Sequence, residues 1–182
     1  MKTEGKSILA VADTVMRMLL EQDAIAAQSA AQSALKTQLA NAMRRVLAES
    51  YVLYYAAHSS HWNIEGSNFP QYHTFLQTIY TEVFEKIDAI AEQLRSINEY
   101  APVSLKDLMS MSSLTEATHV DSPESMLGRI LEMNSKVISS IDTAYRLAEQ
   151  AHEIAMSNFL QDLTNTHKKF GWMISATLKG TK

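Results

Sequence analysis

The 182-residue sequence contains no cysteine, only three prolines and five glycines, and no excess of positive charge. Without cysteine, the chain cannot form disulfides, thiolate zinc sites or iron–sulfur clusters, and it has no thiol nucleophile. So few prolines and glycines exclude a many-turned β-sandwich, a collagen-like repeat and a Pro/Gly-rich disordered segment. A net charge of -4 leaves no global positive field to attract nucleic acid.

Long apolar segments are also missing from the sequence. The apolar stretch over residues 8–20 is interrupted by Asp13 and Arg17, and it is too short to cross a bilayer. Residues 1–30 lack the apolar core and the small-residue cleavage site of a signal peptide. We therefore expect no membrane association and a cytoplasmic location, with which the absence of cysteine is compatible.

Helical periodicity covers nearly the whole chain, and no segment alternates as a strand does. Residues 24–33, rich in Ala, Ser and Gln, are either a linker or a helical extension. The predicted helices are a short amphipathic one over residues 7–22, long ones over 34–63, 70–98, 123–149 and 153–178, and a short one over 104–111.

Four long helices, with one long connection between the second and the third, are typical of an all-α, ferritin-like four-helix bundle. In the second long helix, apolar residues recur at steps of three and four, as a bundle requires. Ser122 is placed to cap the third long helix, with Pro123 in its first turn. The predicted organisation is an N-terminal helical extension over residues 1–33 and the bundle over residues 34–182.

Side chains able to bind a metal concentrate around the second long helix. His61 and His73 lie around the corner between the first and second long helices, whereas Asp88 and Glu92 lie farther along the second and share a face. Viewed down the helix axis, Asp88 lies ~60° and Glu92 ~100° round from His73, so all three point broadly the same way. Along the axis, however, Asp88 is ~22 Å from His73. One chain therefore cannot bring His73 and Asp88 to one ion, whereas two copies packed antiparallel about a two-fold axis can.

Two imidazoles and two carboxylates form a mixed nitrogen and oxygen ligand set, which suits iron, manganese or zinc. The alternative is that Asp88 and Glu92 are ordinary charges beside the apolar face of the helix. His58, on the preceding helix, is interpreted as a packed or surface histidine rather than a ligand.

A multi-part motif extends from His61 to Glu92. It comprises His-Trp-Asn-Ile-Glu-Gly-Ser-Asn-Phe over residues 61–69, a second histidine twelve residues after the first, and Asp-x-x-Ala-Glu over residues 88–92. This motif resembles the signature of the Dps family, the mini-ferritins called "DNA-binding protein from starved cells". The resemblance covers roughly residues 35–178.

The resemblance implies a hollow dodecamer that oxidises Fe(II), preferably with hydrogen peroxide, and stores the ferric mineral inside. It implies that His61 and His73 are catalytic metal ligands from one subunit. Asp88 and Glu92 would come from the neighbouring subunit, and Trp62 would lie beside the site. A role in protection from oxidative damage follows from the same resemblance.

Three positions depart from the family pattern. Gln77 stands where the family usually has an aspartate, and a neutral amide is a poor ligand for a hard cation. The alternative function is therefore a structural or metal-binding shell with an impaired centre. Gln93 replaces an arginine that normally supports the carboxylates, and Asn158 replaces a common aspartate.

The resemblance also implies a pore through which iron enters, near the start of the last helix. Glu149, His152 and Glu153, with Asp162 nearby, occupy this region, although a solvated helix terminus explains them equally well. DNA binding and nucleoid association belong to the family, but residues 1–22 carry three basic and three acidic side chains. Phosphate-driven binding needs several positive contacts, so we expect it to be weak here.

Overall fold

The structure is a computed structural model that describes residues 2–179, with side chains described for residues 13–179. No strand occurs within residues 2–179, which confirms the all-α prediction. None of the described helices is long and apolar enough for a membrane crossing. The helices are α1 (Lys2–Asn63), α2 (Phe69–Ser96), α3 (Leu105–Ser110), α4 (Pro123–Gln150) and α5 (Ile154–Lys179).

The first helix is longer than the sequence predicts. Separate helices over residues 7–22 and 34–63 are wrong, because α1 runs without a break from Lys2 to Asn63. Residues 24–33 therefore form a helical extension and not a linker. The physical reason is that no glycine or proline lies between Gly5 and Gly66, while alanine, glutamine and leucine are strong helix formers.

The chain divides into two compact units, Met1–Thr37 and Gln38–Lys182. In the first unit, all side chains from Asp13 to Ala34 are exposed, and Arg17 forms an i,i+4 ion pair with Asp13 at 2.9 Å. The predicted domain boundary between residues 33 and 34 remains a prediction.

The core of the second unit is built by α1, α2, α4 and α5. The apolar residues at steps of three and four along the second long helix are buried, apart from Ile87, which is half-buried; the buried ones are Leu76, Ile79, Val83, Ile90, Leu94 and Ile97. Burying one leucine or isoleucine side chain contributes about 1.5–3 kcal/mol, so this regular pattern is what holds α2 in place. Fully buried core residues include Leu39, Met43, Leu53, Leu76, Ile90, Leu127, Ile130, Ile141, Leu160 and Phe170.

Helix ends are set by local polar contacts, as predicted for α4. The Ser122 hydroxyl accepts a hydrogen bond from the Ser125 N–H at 3.3 Å, and Pro123 occupies the first turn. Ser104 caps α3 in the same way, through the Asp107 N–H at 3.1 Å. Serine caps therefore begin both α3, within the long connection, and α4, at its end.

A buried carboxylate ties this long connection to α1. Glu49 is fully buried, and its Oε1 accepts hydrogen bonds from the Ser113 hydroxyl at 2.6 Å and the Ser113 N–H at 3.3 Å. A second tie joins α1 to the end of α2, where Arg44 forms an ion pair with Glu99 at 2.8 Å. Sequence analysis did not predict either tie, because both join residues more than fifty positions apart.

Candidate metal centre

The two histidines of the predicted site lie on either side of the turn that joins α1 to α2. His61 is in the last turn of α1, and His73 is near the beginning of α2. Gly66 makes this turn possible, because its φ of 105° lies in a region that L side chains rarely adopt. Pro70 then starts α2 at a position where its missing N–H costs nothing. The chain reverses, and the two histidines meet.

Each histidine ring is fixed by the backbone of the other histidine. His61 Nδ1 donates a hydrogen bond to the His73 carbonyl oxygen at 2.8 Å, and His73 Nδ1 donates to the His61 carbonyl oxygen at 2.9 Å. The two rings are stacked, with centroids 3.6 Å apart and planes at 22°. This reciprocal pair sets both the position and the rotation of each ring.

The reciprocal hydrogen bonds also decide which ring nitrogen is available. A carbonyl oxygen only accepts hydrogen bonds, so both Nδ1 atoms carry the proton. In the neutral rings, both Nε2 atoms therefore keep a lone pair. Metal-ligating histidines are characteristically held by such a hydrogen bond from the other ring nitrogen. His61 and His73 therefore form a pair of imidazoles whose orientations are fixed by hydrogen bonds, as is typical of metal-ligating histidines.

The predicted carboxylates lie elsewhere on α2. Asp88 and Glu92 are both exposed, one helical turn apart. Within residues 13–179, no group of three or more His, Asp or Glu side chains is arranged to hold a metal ion. Helix rise puts Asp88 ~22 Å along α2 from His73, so a single chain brings together the histidines but not the acids.

Gln77 and Trp62, the two residues predicted near the site, are both at the surface. Gln77 is exposed and lies one turn after His73 on α2, so it shares the histidine face of that helix. Trp62 directly follows His61 and is 56% exposed. Trp62 therefore adds exposed apolar area beside the two oriented imidazoles.

His58 is packed beside the histidine pair, as interpreted from the sequence. Its ring stacks on Tyr80 with centroids 4.0 Å apart and contacts Trp62 at 4.1 Å. Burial first, and then the charge of His61, lower the pKa of His58 below its ordinary value. Its neighbour Tyr54 was missed by sequence analysis, although the spacing of Tyr54, His58 and Trp62 places them on one face of α1.

The residues predicted to line a pore lie at the corner between α4 and α5. Glu149 is exposed in the last turn of α4, and Glu153 is half-buried. His152 has φ 57° and ends the helix, because the next N–H, that of Glu153, reaches back to the Ala148 carbonyl at 2.9 Å. Asp162 is exposed on α5. Their role in a pore remains a prediction, and His152 already has a structural role.

Comparison with known proteins places this arrangement in a family. Residues 40–182 match the family described as a ferritin-like domain. "Antigen TyF1" of Treponema pallidum subsp. pertenue is 31% identical over 138 residues, which cover 75% of this chain and 78% of that protein. "DNA protection during starvation protein" of Brevibacillus brevis is 28% identical over 137 residues, which cover 75% of this chain and 92% of that protein.

Solved structures agree with the sequence relatives. The crystal structure of the Dps protein from Vibrio cholerae O1 superposes with a TM-score of 0.76 and 26% identity, covering 80% of this chain and 91% of that one. That protein is described as a member of a broad superfamily of ferritin-like diiron-carboxylate proteins. The chain described above therefore belongs to the ferritin-like family, as a mini-ferritin of the Dps type with the general iron-storage role of that family.

Proposed function

We propose that this mini-ferritin oxidises Fe(II) at a site shared by two copies and stores the ferric product inside a hollow homo-oligomer, a dodecamer. The observation that supports this most is the reciprocal hydrogen bonding of His61 and His73, which fixes both rings and leaves a lone pair on Nε2 of each neutral ring. The oxidant is hydrogen peroxide or oxygen, and the cellular role is protection from oxidative damage in the cytoplasm.

The four site residues divide their work between two subunits. His61 and His73 bind Fe(II) through Nε2 and fix its position. Asp88 and Glu92 of the partner subunit approach from the other side and offset the positive charge that increases on oxidation. An antiparallel pairing of two α2 helices about a two-fold axis makes this possible, because it sets the histidine end of one against the acidic part of the other.

The iron ions supply the redox chemistry, and the protein fixes the geometry in which they are oxidised. With peroxide, each of two Fe(II) ions gives up one electron, the O–O bond breaks, and two hydroxide ions form. Oxidising both ions together consumes peroxide without releasing hydroxyl radical. Holding the ligands rigidly, as the two histidine carbonyls do for the two rings, favours this paired oxidation.

The alternative is a Dps-like shell with an impaired oxidation centre. Gln77 supports it, because its neutral amide lies one turn from His73, on the same face of α2. A missing carboxylate there weakens the hold on a second iron ion. The shell would then bind metal ions without efficient turnover.

DNA binding is not part of the proposed function. Phosphate contacts require several lysines or arginines at each site, whereas the whole chain is acidic overall, at -4. A gel-shift measurement at low salt checks this; retention that weakens as salt is added would show phosphate-driven binding and, with it, nucleoid association.

The shared site is tested by mixing two inactive variants. Apoprotein is loaded with Fe(II) under anaerobic conditions, peroxide is added, and the absorbance of the ferric product is followed. We expect His61→Ala and Asp88→Asn each to oxidise iron slowly as single variants. Particles that contain both variants should recover activity, because one site of a mixed dimer then combines the intact histidines of the Asp88→Asn chain with the intact acids of the His61→Ala chain.

The controls separate a shared site from a folding defect. Asp142→Asn removes an exposed aspartate on α4 and should leave the rate unchanged. Differently tagged copies show, by double purification, that mixed particles have formed. Mixed particles as slow as the single variants, or a native mass near that of one subunit, would contradict the shared site.

A further inference from the structure

A cavity lies between α1, the end of the long connection and α4, and none of the four proposed metal ligands lines it. Its volume is about 70 Å³, and its lining includes the exposed residues Glu116 and His119, so it is open to solvent. One enclosed water molecule needs roughly 10–15 Å³, so the cavity has room for about five water-sized groups. That is the size of a small aliphatic chain.

Part of the cavity wall is apolar. Met126 and Ile130 belong to α4 and are only 5% and 1% exposed, so they form the deep part of the wall. Tyr55 and Ala56 extend the apolar surface from α1, and Val120 extends it from the long connection. Such a wall favours an apolar group on a ligand, because each removes the other from water.

The cavity wall also contains a guanidinium group with unused donors. The Arg129 side chain is 30% exposed, and within residues 13–179 its hydrogen-bond partner is Asp121, which it contacts through one nitrogen, Nη2. The other oxygen of Asp121 lies 2.9 Å from His119 Nε2. A guanidinium carries five N–H donors in a planar fork that matches a carboxylate. The unused donors of Arg129 therefore favour a ligand with a carboxylate group.

A free carboxylate lies on the same wall. Glu116 is exposed, and no described side chain forms an ion pair or a hydrogen bond with it. Since Asp121 already offsets the charge of Arg129, Glu116 leaves the wall with a net negative charge. A ligand that is only an anion is therefore repelled, whereas an ammonium group is attracted.

We propose that this cavity binds a free aliphatic α-amino acid, such as leucine, as a zwitterion. The side chain lies against Met126 and Ile130, the carboxylate accepts hydrogen bonds from Arg129, and the ammonium group donates to Glu116. A four-carbon side chain fits a space for about five groups, whereas an aromatic side chain exceeds it. The ligand is bound without chemical change, and the inference does not rest on iron oxidation.

The experiment measures leucine binding and identifies which part of the ligand is recognised. Full-length, assembled, iron-free protein is dialysed to equilibrium against radiolabelled L-leucine, and unlabelled analogues compete. Isocaproate keeps the side chain and the carboxylate, isoamylamine keeps the side chain and the amine, and glycine keeps only the two charged groups. We expect saturable binding of leucine at one site per chain, with each analogue at least ~5-fold weaker.

Two variants test the two charged contacts separately. Glu116→Gln should weaken leucine binding at least ~3-fold but not isocaproate binding, because only the ammonium group loses its partner. Arg129→Gln should weaken the binding of leucine and isocaproate but not that of isoamylamine. Glu124→Gln is the matched control, because Glu124 is an exposed glutamate in the first turn of α4 that does not line this cavity. Should Arg129→Gln lose helical content, Glu116→Gln decides, since Glu116 is exposed.

Several results would overturn the proposal. Without saturable binding of leucine up to about 10 mM, the cavity is not an amino-acid site. Glycine binding as tightly as leucine would exclude the apolar contact, and either of the other analogues binding as tightly would exclude recognition of a zwitterion. An equal loss in Glu116→Gln and Glu124→Gln would mean that general surface charge attracts the ligand. Ferric absorbance of the same protein reports iron oxidation separately, so failure of the proposed function leaves the result for leucine valid.

Discussion

His61 and His167 are both buried histidines, at 8% and 1% exposure, and both use Nδ1 in a hydrogen bond to an oxygen. His61 lies at the corner between α1 and α2, where its partner is the His73 carbonyl. His167 lies between α4 and α5, where Nδ1 donates to the Asn134 side-chain oxygen at 2.8 Å. The Asn134 amide donates in turn to the His167 carbonyl at 2.9 Å.

The two histidines differ in what their surroundings permit. The α1–α2 corner carries a second oriented imidazole, that of His73, which is half-buried and stacks on His61. His167 packs edge-on against Phe170, and burial lowers its pKa to about 4. The same kind of hydrogen bond therefore orients a proposed metal ligand in one region and joins two helices in the other. Burial of a histidine does not by itself distinguish the two roles.

The largest effect is expected when a histidine of each region is replaced and the rate of iron oxidation is measured. His73→Ala removes one of the two proposed histidine ligands, and we expect the rate of Fe(II) oxidation by peroxide to fall at least ~10-fold. His167→Gln, in contrast, should leave the rate per assembled particle unchanged. Stopped-flow ferric absorbance measures both, and equal rates for His73→Ala and the unaltered protein would remove His73 from the site.

The second-largest effect is expected in the α4–α5 region, where His167 makes the free energy of unfolding depend on pH. Because the pKa of His167 is about 4 in the folded chain and ordinarily 6.5, the unfolded chain binds more protons between these values. The contribution of neutral His167 is therefore complete above pH 6.5, declines as the pH is lowered toward 4, and is constant below. Its size is about 3 kcal/mol.

Urea unfolding at several pH values checks this contribution. The unaltered protein should lose more free energy of unfolding between pH 6.5 and 4 than His167→Gln does, by about 3 kcal/mol. Other titrating groups are common to both proteins and cancel in the difference. Parallel pH profiles for the two proteins would mean that His167 is protonated without cost.

A smaller effect is expected when the partner of His167 is removed. Asn134→Leu leaves His167 Nδ1 and the His167 carbonyl without their hydrogen bonds in a buried place. We expect the free energy of unfolding to fall by about 1–3 kcal/mol at pH 7, with the rate of iron oxidation unchanged. The control is Asn165→Ala, an exposed amide on α5. An unstable control, or a fully stable Asn134→Leu, would contradict this role.

Much of the bundle could be predicted from the sequence, because three- and four-residue apolar periodicity directly reflects helix packing. The ends of α2, α4 and α5 fall within two residues of the prediction. The predicted break within α1 is wrong, since a segment without glycine or proline stays helical even where it has few apolar residues. Contacts set by tertiary packing, such as Glu49 with Ser113 and Asn134 with His167, leave no periodic signal.

Of the candidate site, too, one part could be predicted from the sequence and another part could not. Spacing brings His61 and His73 into one corner, and the structure adds the reciprocal carbonyl contacts, which no local pattern predicts. The meeting of these histidines with Asp88 and Glu92 depends on a second copy, so neither one sequence nor one chain contains it. It stays a prediction until the shared site is tested.

The smallest effect is expected at Gln77, where the α1–α2 corner is altered without disturbing the core. Gln77→Asp places a carboxylate one turn from His73 on an exposed face, so stability should hardly change. If the absent carboxylate limits the hold on a second iron ion, peroxide-driven oxidation should become several-fold faster. Gln71→Asp is the matched control, because it adds the same charge to α2 on a different face. An increase in the rate for Gln77→Asp alone would show that position 77 limits the centre. Equal rates in both variants and the unaltered protein would instead mean that the two histidines and the partner's acids suffice for iron oxidation. Gln77 would then give no reason to expect an impaired oxidation centre.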